Sequence, residues 1–276
     1  MNEHFDNLSV QKLTNLKRHF DDEDARDCLV DEEMFFISEY ELELPDKLTD
    51  DTPIYRYVSA PVFISMLDSG QNWLSHISMW DDPFEGFVFR GNAADKEIDN
   101  GDNSQCRYFD WFGQSWTYSA TESDLRWRAY CPNGDGVRIG STIGKLKNSL
   151  HFESANEEFI GLWASRVFYK DRQVLNDMVA KYKGSALMLF FKDKAFFDEF
   201  EYRVVADKSV VGDKYIDRGF MKFDLERDDQ NGAFKLFDEI LLDPRMSDQD
   251  VERLKTRIAL AGVRCRVAHS QVYKWK

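Results

Sequence analysis

The sequence contains no apolar run that approaches the ~20 residues a bilayer-spanning helix needs. Its opening, MNEHFDNLSVQKL, has neither the basic stretch nor the apolar stretch of a secretory leader, so a cytoplasmic protein with no membrane partner is expected. The four cysteines, Cys28, Cys106, Cys131 and Cys265, form no C-x-x-C pair and lie far from the five histidines. That spacing argues against a thiolate zinc site and, in a reducing compartment, for free thiols. Also missing are G-x-x-x-x-G-K-[ST], G-x-G-x-x-G, H-E-x-x-H and G-x-S-x-G. Their absence sets aside P-loop ATPases, kinases, dinucleotide-fold dehydrogenases, zincins and α/β-hydrolases. No internal repeat is visible.

Positive charge is scarce: 36 Lys and Arg face 50 Asp and Glu, for a net charge of −14. The deficit is local. Residues 1–50 hold 15 acidic and 5 basic side chains, a net −10, which leaves −4 for the other 226 residues. Such a chain gains little from counterion release on DNA, although a local basic groove built from Lys145, Lys147, Lys181 and Lys183 with Trp111 would suit RNA or single-stranded DNA. Within the acidic segment, Val10, Leu13, Leu16 and Phe20 recur at helical spacing, so residues 1–50 read as an acidic, partly helical N-terminal segment. It offers either a solvated face or a docking surface for a basic partner.

From residue 53 the texture becomes short strands, helices and turns. IYRYVS (54–59) alternates, and PVFISMLDSG (61–70) reads as a helix opening at Pro61 and closing at Gly70. NWLSHIS follows as a strand, and DDPFEG (81–86) as a helix start capped by Asp82, with Asp81, Asp82 and Glu85 in structural roles. Residues 91–107 are polar and aperiodic, as a loop would be. WFGQSWTYS (111–119) alternates, and ESDLRWRAY (122–130) is a short helix capped by Ser123. GVRIG enters a strand, followed by a helix near 142–150 and a strand at ASRVFYK (164–170). One helix is expected over RQVLNDMVAKYKGSALMLFF and KDKAFF. A strand follows at 200–206, then a helix from Ser247 to Ala261 closed by Gly262, and a last strand in VRCRVAHSQV. Without regular β-α-β spacing, the class is α+β, with mixed or antiparallel sheets around a cleft and residues 51–276 as one domain.

Three strands carry unusual polar faces. Alternation places Arg56 with Ile54, opposite Tyr55 and Tyr57; it groups Ser115, Thr117 and Ser119 against Trp116 and Tyr118; and it groups Glu199, Glu201 and Arg203 against Phe200, Tyr202 and Val204. A polar strand face ordinarily meets solvent. Trp127 and Tyr130, at i and i+3 of a helix, fit either core packing or stacking on a flat ligand, and Arg126 and Arg128 fit either solvent or phosphate. His76 and His269 have no paired acid or nucleophile in sequence and are expected to be structural.

In chain order, an arginine on an aromatic strand, a Ser-x-Thr strand and a Glu-x-Glu strand resemble the arginine, serine, glutamate signature of ADP-ribosyltransferases, a class that includes many bacterial toxins. Over roughly residues 54–275 the chain also resembles a widespread bacterial domain family of unknown function. The shared elements are YRY (55–57), DPFE (82–85), SWT (115–117), ES (122–123), WRAY (127–130), GVRI (136–139) and EFEYR (199–203). Trp116 stands where the signature more often has a smaller residue.

The resemblance implies an NAD-binding cleft, with NAD as substrate. Arg56 would hold the pyrophosphate, a task that favours a permanently charged, bidentate group. Ser115 and Thr117 would brace the nicotinamide ribose and the catalytic glutamate. Glu201 would stabilise the positive charge that develops when the glycosidic bond breaks, and Glu199 would position or deprotonate the acceptor. Tyr57, Trp127 and Tyr130 would line the cofactor site. The acceptor would be a protein or nucleic acid, and a free enzyme of this kind implies an inhibitor or antitoxin. Two other readings stay open at this point: a metal-dependent nuclease using Glu199, Glu201 and Asp82 or Asp198, and a non-catalytic nucleotide-binding domain.

Overall fold

A computed structural model describes residues 48–80, 111–150, 162–182, 186–207 and 216–273. The acidic segment up to residue 47, the DPFE turn and the 91–107 stretch lie outside the described residues. So do Cys28 and Cys106.

The fold is α+β with a mostly antiparallel sheet. Its strands are β1 (Pro53–Ser59), β2 (Gln71–His76), β3 (Trp111–Thr117), β4 (Gly136–Thr142), β5 (Leu162–Arg166), β8 (Glu201–Asp207), β9 (Ile216–Asp217), β10 (Phe220–Asp224), β11 (Glu239–Leu242) and β12 (Arg266–His269). The order runs β12-β11-β4-β1-β3-β2-β10-β9, with β8 on β3 and β5 on β8; only β11 and β12 pair in parallel. A separate parallel pair joins β6 (Phe168–Lys170) and β7 (Phe191–Asp193).

The sheet splits at β3. Along one edge β3 pairs with β8 over its full length, Trp111↔Asp207 to Thr117↔Glu201. Its other edge is shared: β2 meets it only at Ser75↔Gly113 and His76↔Phe112, and β1 only at Tyr55↔Thr117. Between those contacts the strands diverge. A divergence opens the sheet, so residues on both faces of β1 and β3 can reach one cleft.

Local chemistry explains the helices. In α1 (Ala60–Ser69), Pro61 occupies the first turn and Gly70 takes the left-handed φ of 65° that ends it, while Phe63, Met66 and Leu67 turn into the core. In α2 (Asp124–Tyr130) the Ser123 side chain accepts from the Arg126 amide. The same device recurs at Thr142 before α3 (Ile143–Ser149) and at Ser247 before α5 (Asp248–Leu260). The single helix expected from residue 172 onward is shorter. It stops as α4 (Arg172–Tyr182); a 3₁₀ turn (Ala186–Phe190), β7 and a second 3₁₀ turn (Lys194–Glu199) follow. Within the apolar run at 186–191, Met188, Leu189, Phe190 and Phe191 are all buried, a pattern that periodicity reads as either helix or strand. The strand expected at 164–170 is likewise two strands, broken at Val167. The core proper joins Ile54, Phe63, Leu74, Trp116, Val204, Met221 and Ile240.

Candidate active site

The cleft at the split is a cavity of about 570 Å³, within the range of small-molecule sites. Its wall includes Arg56, Tyr57, Ser115, Thr117, Tyr130, Glu199 and Glu201, drawn from β1, β3, α2 and the approach to β8. These lie up to 145 residues apart in sequence and meet because β3 carries the serine and threonine directly across from Arg203 and Glu201.

Arg56 sits at the divergence. Its Nη1 donates to Asn72 Oδ1 at 3.2 Å, and no carboxylate pairs with it among the described residues. Burial lowers the guanidinium to about 10, still a cation at neutral pH. Asn72 is fully buried, and its Oδ1 also accepts from Gln114 Nε2 at 2.9 Å and from the Trp73 amide at 2.8 Å. Gln114 Oε1 in turn accepts from Trp116 Nε1 at 2.7 Å. This chain ties β1, β2 and β3 together where their backbones no longer do. With three donors on Oδ1, the Asn72 amide has a fixed orientation, and its buried Nδ2 has no partner among the described residues.

The two glutamates reach the cavity by different routes. Glu201 opens β8 and shares a face with Arg203, as alternation requires. Glu199 ends the preceding 3₁₀ turn, and Phe200 between them has a left-handed φ of 47°. The face expected to carry both carboxylates is therefore a strand residue plus a turn residue. The turn is held by Thr117 Oγ1, which donates to the Glu199 carbonyl at 2.7 Å, and by the Tyr118 amide, which donates to the Phe200 carbonyl at 2.8 Å.

Both carboxylates are clamped. Arg203 donates to Glu201 through Nε at 2.7 Å and Nη2 at 2.8 Å, with both side chains almost fully buried. Lys192 Nζ lies 2.8 Å from Glu199 and 3.6 Å from Glu201. The Glu201 amide donates to the Tyr169 hydroxyl at 3.0 Å. Burial alone would push the Glu201 carboxyl up, but the charges of Arg203 and Lys192 and hydrogen bonds from Ser115 and Arg203 outweigh it. The carboxyl stays below the ordinary glutamate value. Glu201 is thus a fixed anion in a partly dry wall.

Of the aromatic candidates, Tyr130 is about half exposed and its ring lies nearly parallel to that of Tyr57, with centroids 6.4 Å apart. Trp127 does not line the cavity. It is fully buried behind Tyr57, edge-on at 4.8 Å, with its indole N–H on Glu122 at 2.8 Å. A seven-residue helix cannot present both i and i+3 to the cleft when its i position fills the core. Trp111 is likewise buried, and the α3 lysines Lys145 and Lys147 pair with Asp238 and Asp50, outside the lining of the cleft. The histidines hold backbone and turn: His76 Nδ1 is 2.7 Å from Ser78 Oγ, and His269 Nε2 is 3.1 Å from the Asp243 carbonyl.

Several cavity residues escaped the sequence reading. Lys192 gives no periodic signal, because it comes from a three-residue strand. Gly113 and Trp80 are a packed pair: a Cβ on Gly113 would lie 2.4 Å from the indole, which itself stacks on Arg203 with the guanidinium carbon 4.6 Å from the ring. A second cavity of about 600 Å³ lies beside the start of α5, but its arginines Arg245, Arg253 and Arg257 are each paired, with Asp243, Asp250 and Asp68. It offers an anion no free cation among the described residues.

The molecule is thus an α+β fold with a cleft at a split in its sheet, walled by aromatic side chains and by paired and unpaired charges. Its sequence matches the family model described as "Protein of unknown function (DUF2971)" over residues 126–204, a span that includes the WRAY, GVRI and EFEYR elements. No curated protein matches the chain. Among solved structures, it is similar to Thermus sp. 2.9 DarT in complex with ADP-ribosylated ssDNA, at 11% identity and a TM-score of 0.39, covering 84% of this chain and 100% of that one. The same DarT in complex with NAD+ gives a TM-score of 0.38 over 83% of this chain, and in complex with carba-NAD+ 0.38 over 82%, each at 11% identity. No helix among the described residues is long and apolar enough to cross a membrane.

Proposed function

We propose that the chain is an NAD-dependent ADP-ribosyltransferase that acts on a macromolecular acceptor, protein or nucleic acid, and that residues 51–276 form its catalytic domain. One observation carries the reading. A single cavity brings together a guanidinium with no carboxylate partner among the described residues, Arg56, and a buried glutamate held ionised, Glu201, with Ser115 and Thr117 on the strand between.

The chemistry follows from those positions. Arg56 binds a phosphate of NAD, and Tyr57 and Tyr130 supply ring faces. As the C1′–nitrogen bond of the nicotinamide ribose breaks, nicotinamide leaves with the bonding pair and C1′ becomes cationic. The fixed Glu201 carboxylate stabilises that charge without reorganising, while an acceptor nucleophile bonds to C1′ from the opposite side. Glu199, closer to the rim and about a quarter exposed, takes the acceptor's proton. An intracellular enzyme of this kind is a toxin or antiviral effector, and it requires a partner that neutralises it. The excess of acidic residues in segment 1–50 would suit a basic one.

The same clamp favours a second reading. Lys192 and Arg203 neutralise both carboxylates, as a nucleotide-binding domain without turnover would tolerate. They also disfavour the nuclease: magnesium at Glu199 and Glu201 would have to displace two cations already hydrogen-bonded there.

The deciding experiment supplies the protein and a cell extract with NAD labelled in the adenylate phosphate and separates protein from nucleic acid. Label in one fraction, absent with Glu201→Gln, is expected and identifies the acceptor class. Folded protein that binds NAD but transfers no label and releases no nicotinamide would establish the binding domain instead.

A further inference from the structure

Charge is distributed unevenly within the cleft. Among the described residues its wall carries four cations, Arg56, Arg126, Lys192 and Arg203, and two carboxylates, Glu199 and Glu201. Lys192 and Arg203 are committed to the carboxylates. Two positive charges are left over, in a protein whose net charge is −14.

The second of these belongs to Arg126. Position 126 falls in the first turn of α2, where the Ser123 cap fixes the backbone and sends Trp127 into the core. The Arg126 side chain is then left to run along the cavity wall, only 9% exposed. Nη1 donates to the Thr121 carbonyl at 3.1 Å and Nη2 to the Asp198 carbonyl at 2.5 Å, while the buried Nε has no partner among the described residues. Neutral carbonyls orient the fork but cancel none of its charge. The other buried arginines among the described residues are paired with carboxylates: Arg138 with Glu239 and Arg203 with Glu201. Only excellent compensation makes a buried charge tolerable, and among the described residues neither cavity guanidinium is paired with a carboxylate.

We propose that Arg126 and Arg56 together form a two-guanidinium seat for a diphosphate dianion, so that Arg126 makes the site select ligands with two linked phosphates over ligands with one. The chemical class is a nucleoside diphosphate or its diester. That this diester is NAD rests on the function proposed above; the seat itself does not. Arg126 acts by binding. Its bonds to Thr121 and Asp198 keep the guanidinium in place and tie α2 to the turn that ends at Glu199.

The test measures binding by calorimetry of ADP, AMP, inorganic pyrophosphate, NAD and phosphate-free nicotinamide riboside to the full chain, Arg126→Met and Arg126→Lys, with thermal melts to establish folding. The wild type should prefer ADP to AMP. Arg126→Met should weaken ADP, pyrophosphate and NAD by roughly ten- to a hundredfold and erase that preference, while nicotinamide riboside is unaffected; Arg126→Lys should restore part of the loss. A purely structural role for Arg126 would weaken all ligands alike, and that result overturns the proposal, as does an unchanged preference for ADP. If pyrophosphate binds through Arg126 but NAD does not bind, the seat stands and the NAD reading fails. If NAD binds and pyrophosphate and ADP do not, the seat fails and the NAD reading stands.

Discussion

Replacing Glu201 by glutamine removes one charge from a buried cluster and almost no volume. In the native protein the carboxylate accepts from Arg203 at 2.7 and 2.8 Å and lies 3.6 Å from Lys192, with Arg203 1% exposed and Glu201 5%. The amide keeps one acceptor but removes the charge that faces the buried Arg203 guanidinium at 2.7 and 2.8 Å, and breaking a buried pair in this way costs about 3 kcal/mol or more. At roughly 2–4 °C per kcal/mol for a domain of this size, the melting temperature should fall by about 6–12 °C, readable by circular dichroism. The pH dependence gives an independent check. The folded carboxyl lies below the ordinary value of 4.5, so its stabilisation is complete above that pH and is lost as the pH falls through the folded value. The gap between wild type and variant should therefore be full at pH 7 and shrink below pH 4.5. Removing the other half of the pair as well, in Glu201→Gln/Arg203→Met, should raise the melting temperature above that of the single variant. A single variant that melts within 2 °C of wild type at pH 7, or a gap that widens in acid, would refute the clamp.

The other predictions address the cleft and its support. Arg56→Lys keeps the charge but loses the planar fork and the Asn72 bond, and should weaken NAD about tenfold by calorimetry with little change in melting temperature. Gly113→Ala puts a methyl group 2.4 Å from the Trp80 ring, which must move off Arg203; about 1–3 kcal/mol of stability should be lost, measured by denaturant titration, together with a change in tryptophan fluorescence. Trp127→Ala should cost about 3–5 kcal/mol as a core cavity, whereas NAD affinity in the folded fraction should stay close to wild type, since the indole does not reach the cleft. Glu201→Gln should also slow nicotinamide release by at least about a hundredfold, the scale on which a preorganised charge acts.

The local features were legible because they depend on neighbours in sequence. Pro61 and Gly70 bracket α1, Ser123 and Ser247 cap their helices, and the alternation of QSWT and EYRVV predicts which side chains share a face of β3 and β8. Alternation also gave Arg56 a side, with Ile54. It could not say that this side would reach the cleft, because that depends on β1 and β3 meeting at a single pair, Tyr55↔Thr117. The break of the long segment after Tyr182 was hidden for the opposite reason. A fully buried apolar run has no polar face to mark its period.

What the sequence alone determined is the chemical repertoire and its order along the chain: an arginine among tyrosines, a Ser-x-Thr strand, a Glu-x-Glu-x-Arg segment, and the acidity concentrated before residue 51. Tertiary structure decided which of those groups keep a free charge. Glu199 and Glu201 look alike in sequence, yet both are claimed by Lys192 and Arg203, and Trp127 and Tyr130 look like partners, yet one is core and the other rim. Arg56 and Arg126 look like any surface arginine, yet they are the cavity cations without a carboxylate among the described residues. Pairing and burial depend on distances between segments far apart in the chain, and local periodicity carries no information about those distances.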